Sequence, residues 1–211
     1  MKAHPALHPS LENGDRLSQQ EFHRRYELHP ELHHVELVEG GVYLPSPICF
    51  QQHGKPQAII LGWLTTYASK HPGVEVSGPG TVILDGENEP EPDAMMYFEP
   101  GPASPVKIVH PGYIAGAPEL VVEISGSSAS IDLGDKLRAY QRNGVREYIV
   151  WSTLEGQLRW FVLRNGVFEP LVADDNGIIH STVFEGLRLN VERLLAGDLA
   201  AVLDTQIAAL R

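Results

Sequence analysis

The sequence lacks several features that mark secreted or membrane proteins. Its 211 residues include one cysteine, Cys49, so no disulfide can form within the chain. The first residues, MKAHPALHPS, have no apolar core of the kind found in a signal peptide. The longest apolar stretch near the middle, AIILGWL, is far too short to cross a bilayer. We therefore expect a cytoplasmic protein that has no contact with membranes.

Positive charge is also scarce. The chain has 16 Lys and Arg against 27 Asp and Glu, which gives a formal net charge of −11. Contacts from Lys and Arg to phosphate supply most of the non-specific affinity for nucleic acid, so this chain is repelled by nucleic acid at long range. The charge balance argues against a general nucleic-acid-binding protein, although it is compatible with a local basic groove.

The hydrophobic pattern of the chain indicates both strands and helices. The segment 119–125, ELVVEIS, predicts a central strand, and VREYIVW at 145–151 predicts another. Between them, SIDLGDKLRAYQRNG predicts one helix capped by Ser130, with Asp132 and Asp135 favouring its N-terminal dipole. With hairpins predicted at Gly40-Gly41 and Asn165-Gly166, this order predicts an α/β or α+β fold whose mixed sheet is flanked by helices.

The chain is long enough for one sizeable core. We expect a flexible arm at 1–16 and a single domain over 17–211. Residues 99–118 are rich in proline and predict a long surface excursion. The last segment, DLAAVLDTQIAAL, predicts an amphipathic helix whose apolar face, including Leu210, either packs on the domain or forms a homodimer interface.

Two carboxylates stand where hydrophobic residues are expected. Glu123 lies inside the predicted strand ELVVEIS, and Asp93 opens the apolar segment DAMMYF. A carboxylate is costly to bury unless it is paired, hydrogen-bonded or bound to a metal. If the two strands are neighbours, both carboxylates reach one metal ion, and oxygen ligands of this kind suit Mg²⁺ or Mn²⁺.

Lys136 lies in the helix predicted after Glu123. A lysine near two acids orients or activates a metal-bound water, or neutralises charge that develops on a phosphate. Asp93, Glu123 and Lys136 are therefore the residue types that metal-assisted phosphodiester hydrolysis requires. The alternative is a structural ion pair at a sheet edge, because structural networks contain such acids as well.

Several blocks of the sequence resemble a known family. PEPD before an apolar strand, and APELVVEIS followed by DKLRAYQRNGVREYIVW, are similar to the Uma-two-type family of restriction-endonuclease-like proteins. That family belongs to the PD-(D/E)XK nuclease superfamily, and the resemblance extends over about residues 33–210. It implies a restriction-endonuclease-like core with added hairpins, and a metal-dependent endonuclease whose substrate is nucleic acid, DNA in the first place.

The resemblance also implies site residues. Asp93, Glu123 and the backbone carbonyl of Ile124 would bind Mg²⁺ or Mn²⁺. The superfamily motif has a lysine two residues after the acid, where this chain has Ser125. The lysine displaced to the following helix would be Lys136. Because a fold does not guarantee activity, the alternative is a non-catalytic nuclease-fold module that binds a partner or nucleic acid. A toxin-like or mobile-element accessory protein would have the same chemistry.

Three further residues have two interpretations each. Glu36, within VELVEG, is either a third acid of the site or part of an exposed hairpin face. His53 either contacts phosphate or a metal-bound water, or is only a histidine at the start of a helix. Tyr140 lies four residues after Lys136, so it either holds the lysine in place or is a core aromatic residue.

Overall fold

The computed structural model describes residues 9–45, 49–102, 104–109, 112–126 and 128–209. The helices are α1 (Gln19–Glu27), α2 (Lys55–Ala68), α3 (Ala129–Asp132), α4 (Asp135–Asn143), α5 (Val191–Leu195) and α6 (Leu199–Ala209). A π-helical turn, Phe50–Gly54, leads into α2. The strands are β1 (Glu36–Val38), β2 (Gly41–Tyr43), β3 (Val74–Ser77), β4 (Val82–Ile83), β5 (Ala94–Phe98), β6 (Lys107–Val109), β7 (Tyr113–Ala115), β8 (Leu120–Ser125), β9 (Glu147–Ser152), β10 (Gln157–Arg164), β11 (Val167–Pro170), β12 (Ile178–His180) and β13 (Arg188–Asn190).

Six strands form the central sheet in the order β11-β10-β9-β8-β5-β3. Strands β8 and β9 are parallel, whereas the other neighbouring pairs are antiparallel. Helices α3 and α4 connect β8 to β9, as a parallel pair requires a crossover connection. The mixed sheet flanked by helices that the sequence predicts is confirmed.

The two faces of this sheet belong to different cores. On one face, Leu120 of β8 packs in a cluster with Trp63 of α2. On the other face, Val121 packs in a cluster with Tyr140 of α4. Because side chains alternate along a strand, Glu123 lies on the same face as Val121 and points toward α4. This arrangement buries a carboxylate in the interior of the protein.

The helix predicted after β8 is two helices. Helix α3 ends at Asp132 and α4 begins at Asp135. A Cβ atom at Gly134 would lie 2.5 Å from the carbonyl oxygen of Ser130, so a larger residue cannot occupy this point of the break. The prediction of one continuous helix capped by Ser130 is therefore wrong, and Ser128 is the residue that precedes α3.

Two local predictions also need correction. Segment 99–118 is more than a surface excursion, because β6 and β7 pair within it and β4 pairs with β7, forming a three-stranded sheet. The first hairpin turns one residue earlier than predicted, at Glu39 and Gly40, which have φ angles of 51° and 71°. Positive φ at both positions is the geometry of a two-residue hairpin turn. The second hairpin turns at Asn165 and Gly166 as predicted.

Both ends of the described chain pack on the domain. Of the predicted arm, residues 1–8 lie outside the described residues, but Leu11 is buried and Gly14 donates a hydrogen bond to the Val42 carbonyl at 2.8 Å. Helix α6 packs on α2 and β13 with Val202 buried. Leu210 lies outside the described residues, and the homodimer stays a prediction. Within the described chain, every helix is too short or too polar to cross a membrane.

Candidate active site

One cavity of about 770 Å³ brings together residues that are far apart in the sequence. Asp93, Glu123 and Lys136 all line it, and so do Glu36 and His53. These side chains come from β1, the π-helical turn, the residue before β5, strand β8 and helix α4. The fold therefore places the three residues predicted to form a site at one location.

Lys136 is surrounded by carboxylates. Its Nζ lies 2.8 Å from Oε1 of Glu36, 3.1 Å from Oε1 of Glu123 and 3.8 Å from Oδ1 of Asp132. Burial disfavours the charged amine, but the three carboxylates outweigh it and raise the pKa of Lys136 well above its ordinary value. Lys136 is therefore a fixed positive charge in the site.

Glu123 is buried, and the contacts that the described residues make with it are to one oxygen. Tyr140 donates a hydrogen bond to Oε1 at 2.7 Å, and Lys136 contacts the same oxygen. Within the described residues, Oε2 receives no hydrogen bond. Burial, together with the neighbouring carboxylates, raises the pKa of Glu123 well above its ordinary value. This carboxyl group would be stabilised by a proton or by a further cation.

Asp93 and His53 form a second part of the site. Asp93 Oδ2 accepts a hydrogen bond from the Ile124 N–H at 2.7 Å. His53 places Nε2 3.0 Å from Asp93 Oδ1 and Nδ1 3.2 Å from the Ile124 carbonyl oxygen. Since both partners are acceptors, a protonated ring with two N–H groups satisfies both. In agreement, the hydrogen bond with Asp93 raises the pKa of His53.

Ser125 and Tyr140 lie behind the cavity. Ser125 is buried and donates to Asp132 Oδ2 at 2.6 Å, and Ser128 donates to the same oxygen at 2.7 Å. From the sequence, Asp132 is explained only by the helix dipole, and its contact with the site is missed. The available signal is the four-residue spacing from Asp132 to Lys136, which places two helical side chains on one side.

The cavity is strongly acidic. Its described lining contains one lysine, Lys136, two histidines, His34 and His53, and five carboxylates: Glu36, Glu91, Asp93, Glu123 and Asp132. The acids outnumber the bases even when both histidines are protonated. A divalent cation would offset this excess of negative charge.

The chemistry of the donors decides which metal would fit. Among the described residues, no three His, Cys, Asp or Glu side chains are grouped so as to hold a metal. A metal in this cavity would use the carboxylates of Asp93 and Glu123, the Ile124 carbonyl and water molecules, and would compete with His53 for Asp93 and Ile124. One or two carboxylates completed by waters is the usual environment of Mg²⁺, and Mn²⁺ accepts the same hard oxygen donors.

Comparisons with known proteins agree with this fold. The chain belongs to the Uma2 family, whose model, described as "Putative restriction endonuclease", matches residues 19–192. The chain is also similar to a crystal structure of "a putative nuclease belonging to DUF820" from Anabaena variabilis. That match has 15% sequence identity and a TM-score of 0.60, and covers 77% of this chain and 90% of the other. No curated protein matches the chain. The predicted family and fold class are confirmed.

Proposed function

We propose that this protein is a metal-dependent nuclease that hydrolyses phosphodiester bonds in nucleic acid, with DNA as the first substrate to test. Asp93, Glu123 and the Ile124 carbonyl would hold Mg²⁺ or Mn²⁺. Membership of a restriction-endonuclease family supports the reaction class. The observation that carries the proposal is that both carboxylates and Lys136 line one acidic cavity. When bound, the cation would activate a water ligand and stabilise charge on the phosphate.

Lys136 would assist by donating hydrogen bonds. An ammonium group has three N–H donors, and Glu36 and Glu123 are within hydrogen-bond distance of Nζ. Asp132, at 3.8 Å, is too far away for a direct hydrogen bond. As far as the described residues show, one donor of Lys136 is left for a nucleophilic water or a phosphate oxygen. Tyr140 would keep Glu123 oriented through its hydrogen bond at 2.7 Å.

A non-catalytic nuclease-fold module is the second candidate function. The net charge of −11 favours it, because that charge repels polyanions. The contacts of Lys136 and Tyr140 with Glu123 favour it as well, since they stabilise the carboxylate without a metal. Such a module would bind its partner without cleaving nucleic acid.

A cleavage assay tests the proposal. Linear, circular and single-stranded DNA, and RNA, would be incubated with Mg²⁺, Mn²⁺ or EDTA. We expect cleavage that requires the metal, is lost in Asp93→Asn and persists in the exposed control Glu155→Gln. Cleavage that survives in EDTA or in Asp93→Asn contradicts the proposal. Metal binding without cleavage of any substrate supports the non-catalytic module instead.

A further inference from the structure

Asp132 is a buried carboxylate beside the proposed site, and the proposed reaction gives it no part. It is the last residue of α3 and is 3% exposed. Its Oδ2 accepts hydrogen bonds from Ser125 Oγ at 2.6 Å and Ser128 Oγ at 2.7 Å. Its backbone carbonyl accepts a hydrogen bond from the Tyr148 hydroxyl at 2.9 Å. Both the side chain and the backbone of Asp132 are therefore fixed.

The other oxygen of Asp132 faces Lys136. Oδ1 lies 3.8 Å from Nζ across the break between α3 and α4. This distance allows an ion pair but is too long for a direct hydrogen bond. Asp132 thus attracts the ammonium group without using one of its N–H donors, and leaves that donor for the reaction.

Ser125 connects this pair to the strand that carries Glu123. It lies two residues after Glu123 on the same face of β8, at the position where the superfamily motif has a lysine. A hydroxyl group at this position cannot supply the missing charge. It instead binds Asp132, which in turn faces the lysine supplied by α4.

We propose that Asp132, oriented by Ser125 and Ser128, is a positioning residue that holds the Lys136 ammonium group beside Glu123. Its role in catalysis rests on the proposed nuclease function. The ion pair itself does not, and it can be tested in a protein that cleaves nothing. The charge of Asp132 attracts the ammonium group and so opposes its movement toward Glu36. Without that charge, Lys136 moves away from Glu123 more easily.

The catalytic part is tested by comparing Asp132→Asn with Asp204→Asn. Asparagine keeps the size of the side chain and an acceptor for the serines but removes the charge. We expect kcat to fall about tenfold to a hundredfold, the usual effect of losing a supporting partner. Because metal ligands are intact, the substrate KM and the Mg²⁺ concentration for half activity should stay within about twofold, unlike in a metal-ligand variant. Asp204→Asn, which changes an exposed carboxylate on α6, should keep the parental kcat.

A smaller change tests the role of the serines. Replacing Ser125 and Ser128 with alanine leaves the charge of Asp132 but removes the hydroxyls that orient it. We expect a smaller loss of kcat than in Asp132→Asn, and no loss in the exposed control Ser130→Ala. A parental kcat in Asp132→Asn overturns the proposal, whether or not KM rises.

The contact is tested without activity by a double-mutant cycle on urea unfolding. Each single variant, Asp132→Asn and Lys136→Met, changes the unfolding equilibrium constant by some factor. In the double variant, we expect the factor to differ from the product of the two single factors by about fivefold or more, because residues in contact are coupled. If Lys136→Met does not fold, the cycle uses Ser125→Ala, which removes only one hydroxyl. Independent effects overturn the proposal. Coupling in a parent protein that cleaves no nucleic acid contradicts the nuclease function and supports the placement of Asp132.

Discussion

Two buried carboxylates lie in neighbouring strands of the central sheet, Glu123 in β8 and Glu147 in β9. Glu147 is surrounded by neutral donors that serve both of its oxygens. The distances are between 2.7 and 3.3 Å, and the donors are Trp160 Nε1, Ser181 Oγ, Thr182 N, Thr182 Oγ1 and Val183 N. Among the described residues, Glu123 has donors on one oxygen only, Tyr140 and Lys136, and it has other carboxylates nearby.

The difference between these residues separates a structural acid from a candidate functional one. Burial raises the pKa of both carboxyl groups. At Glu147 the hydrogen bonds oppose this effect and attach the segment 181–183 to the sheet. At Glu123 the charge of Lys136 opposes it, but the neighbouring carboxylates add to it, and carboxylates outnumber basic groups in the described lining of the cavity. A bound cation would stabilise the second arrangement and has no place in the first.

The largest predicted difference is in cleavage. We expect Glu123→Gln to lower kcat/KM about a thousandfold or more, since metal-ion catalysis contributes several kcal/mol of charge stabilisation. Glu147→Gln should change the rate of the folded protein by less than about threefold, because Glu147 lies outside the cavity lining. Steady-state cleavage assays on both variants measure the contrast. Equal losses in the two variants would remove the distinction.

The next effect concerns the positive charge beside Glu123. We expect Lys136→Met to lower kcat about a hundredfold, the typical effect of removing one group that stabilises transition-state charge. The exposed control Lys70→Met should have the parental rate. Single-turnover cleavage at saturating Mg²⁺ measures this step, and an undiminished rate in Lys136→Met would exclude the lysine from the mechanism.

For stability we expect the opposite order, with a larger loss in Glu147→Gln than in Glu123→Gln. Glu147→Gln replaces an acceptor oxygen with an NH₂ group that faces donors, so the free energy of unfolding should fall by about 1–3 kcal/mol. Glu123→Gln removes one of several crowded carboxylates and should cost less than Glu147→Gln. Urea unfolding at neutral pH without metal measures both values. A larger loss in Glu123→Gln would identify it as the more structural of the two acids.

The smallest effect is in the pH dependence of stability. Because burial raises the pKa of Glu147, the folded protein binds its proton more tightly than the unfolded chain. Its contribution is therefore fully present below the ordinary carboxyl pKa of 4.5 and is lost as pH rises through the raised value. One such group changes the unfolding free energy by at most about 1.4 kcal/mol per pH unit. The contribution of Glu123 to this pH dependence has the same sign, because its pKa is also raised.

Mg²⁺ should separate the contributions of Glu123 and Glu147 to the pH dependence of the unfolding free energy. A metal-bound carboxylate stays ionised, so Mg²⁺ should remove the share of Glu123 from the pH dependence and leave that of Glu147. Urea unfolding from about pH 4 to 8, with and without Mg²⁺, measures this, with Glu147→Gln as the reference for its own share. A curve that Mg²⁺ leaves unchanged at every pH would count against a metal at Glu123.

The sequence predicts the residues that depart from a local pattern. Asp93 and Glu123 are visible because each interrupts an apolar strand, and Lys136 because it follows Glu123 in a family-like block. Asp132 is passed over, although it lies four residues before Lys136, because an acid in the first turn of a helix is already explained by the dipole. Its contact with Lys136 spans the break at Gly134, where a Cβ atom would clash with the Ser130 carbonyl.

Long-range partners explain the other differences. Glu147 is an acid in the strand segment VREYIVW, much as Glu123 is in ELVVEIS, and the sequence does not indicate that its donors come from 181–183. The hairpin of β10 and β11 at Asn165-Gly166 follows from local turn chemistry. The pairing of β4 with β7 does not, because proline-rich segments resemble loops until a distant strand pairs with them.

Mn²⁺ binding tests most directly whether Glu123, and not Glu147, belongs to a cation site. Titration calorimetry would compare the parent protein with Glu123→Gln, Asp93→Asn and Glu147→Gln under the same conditions. We predict one Mn²⁺ per chain in the parent and in Glu147→Gln, and loss of the binding heat in Glu123→Gln and Asp93→Asn. No binding to the parent protein, or equal binding to all four proteins, would contradict this account.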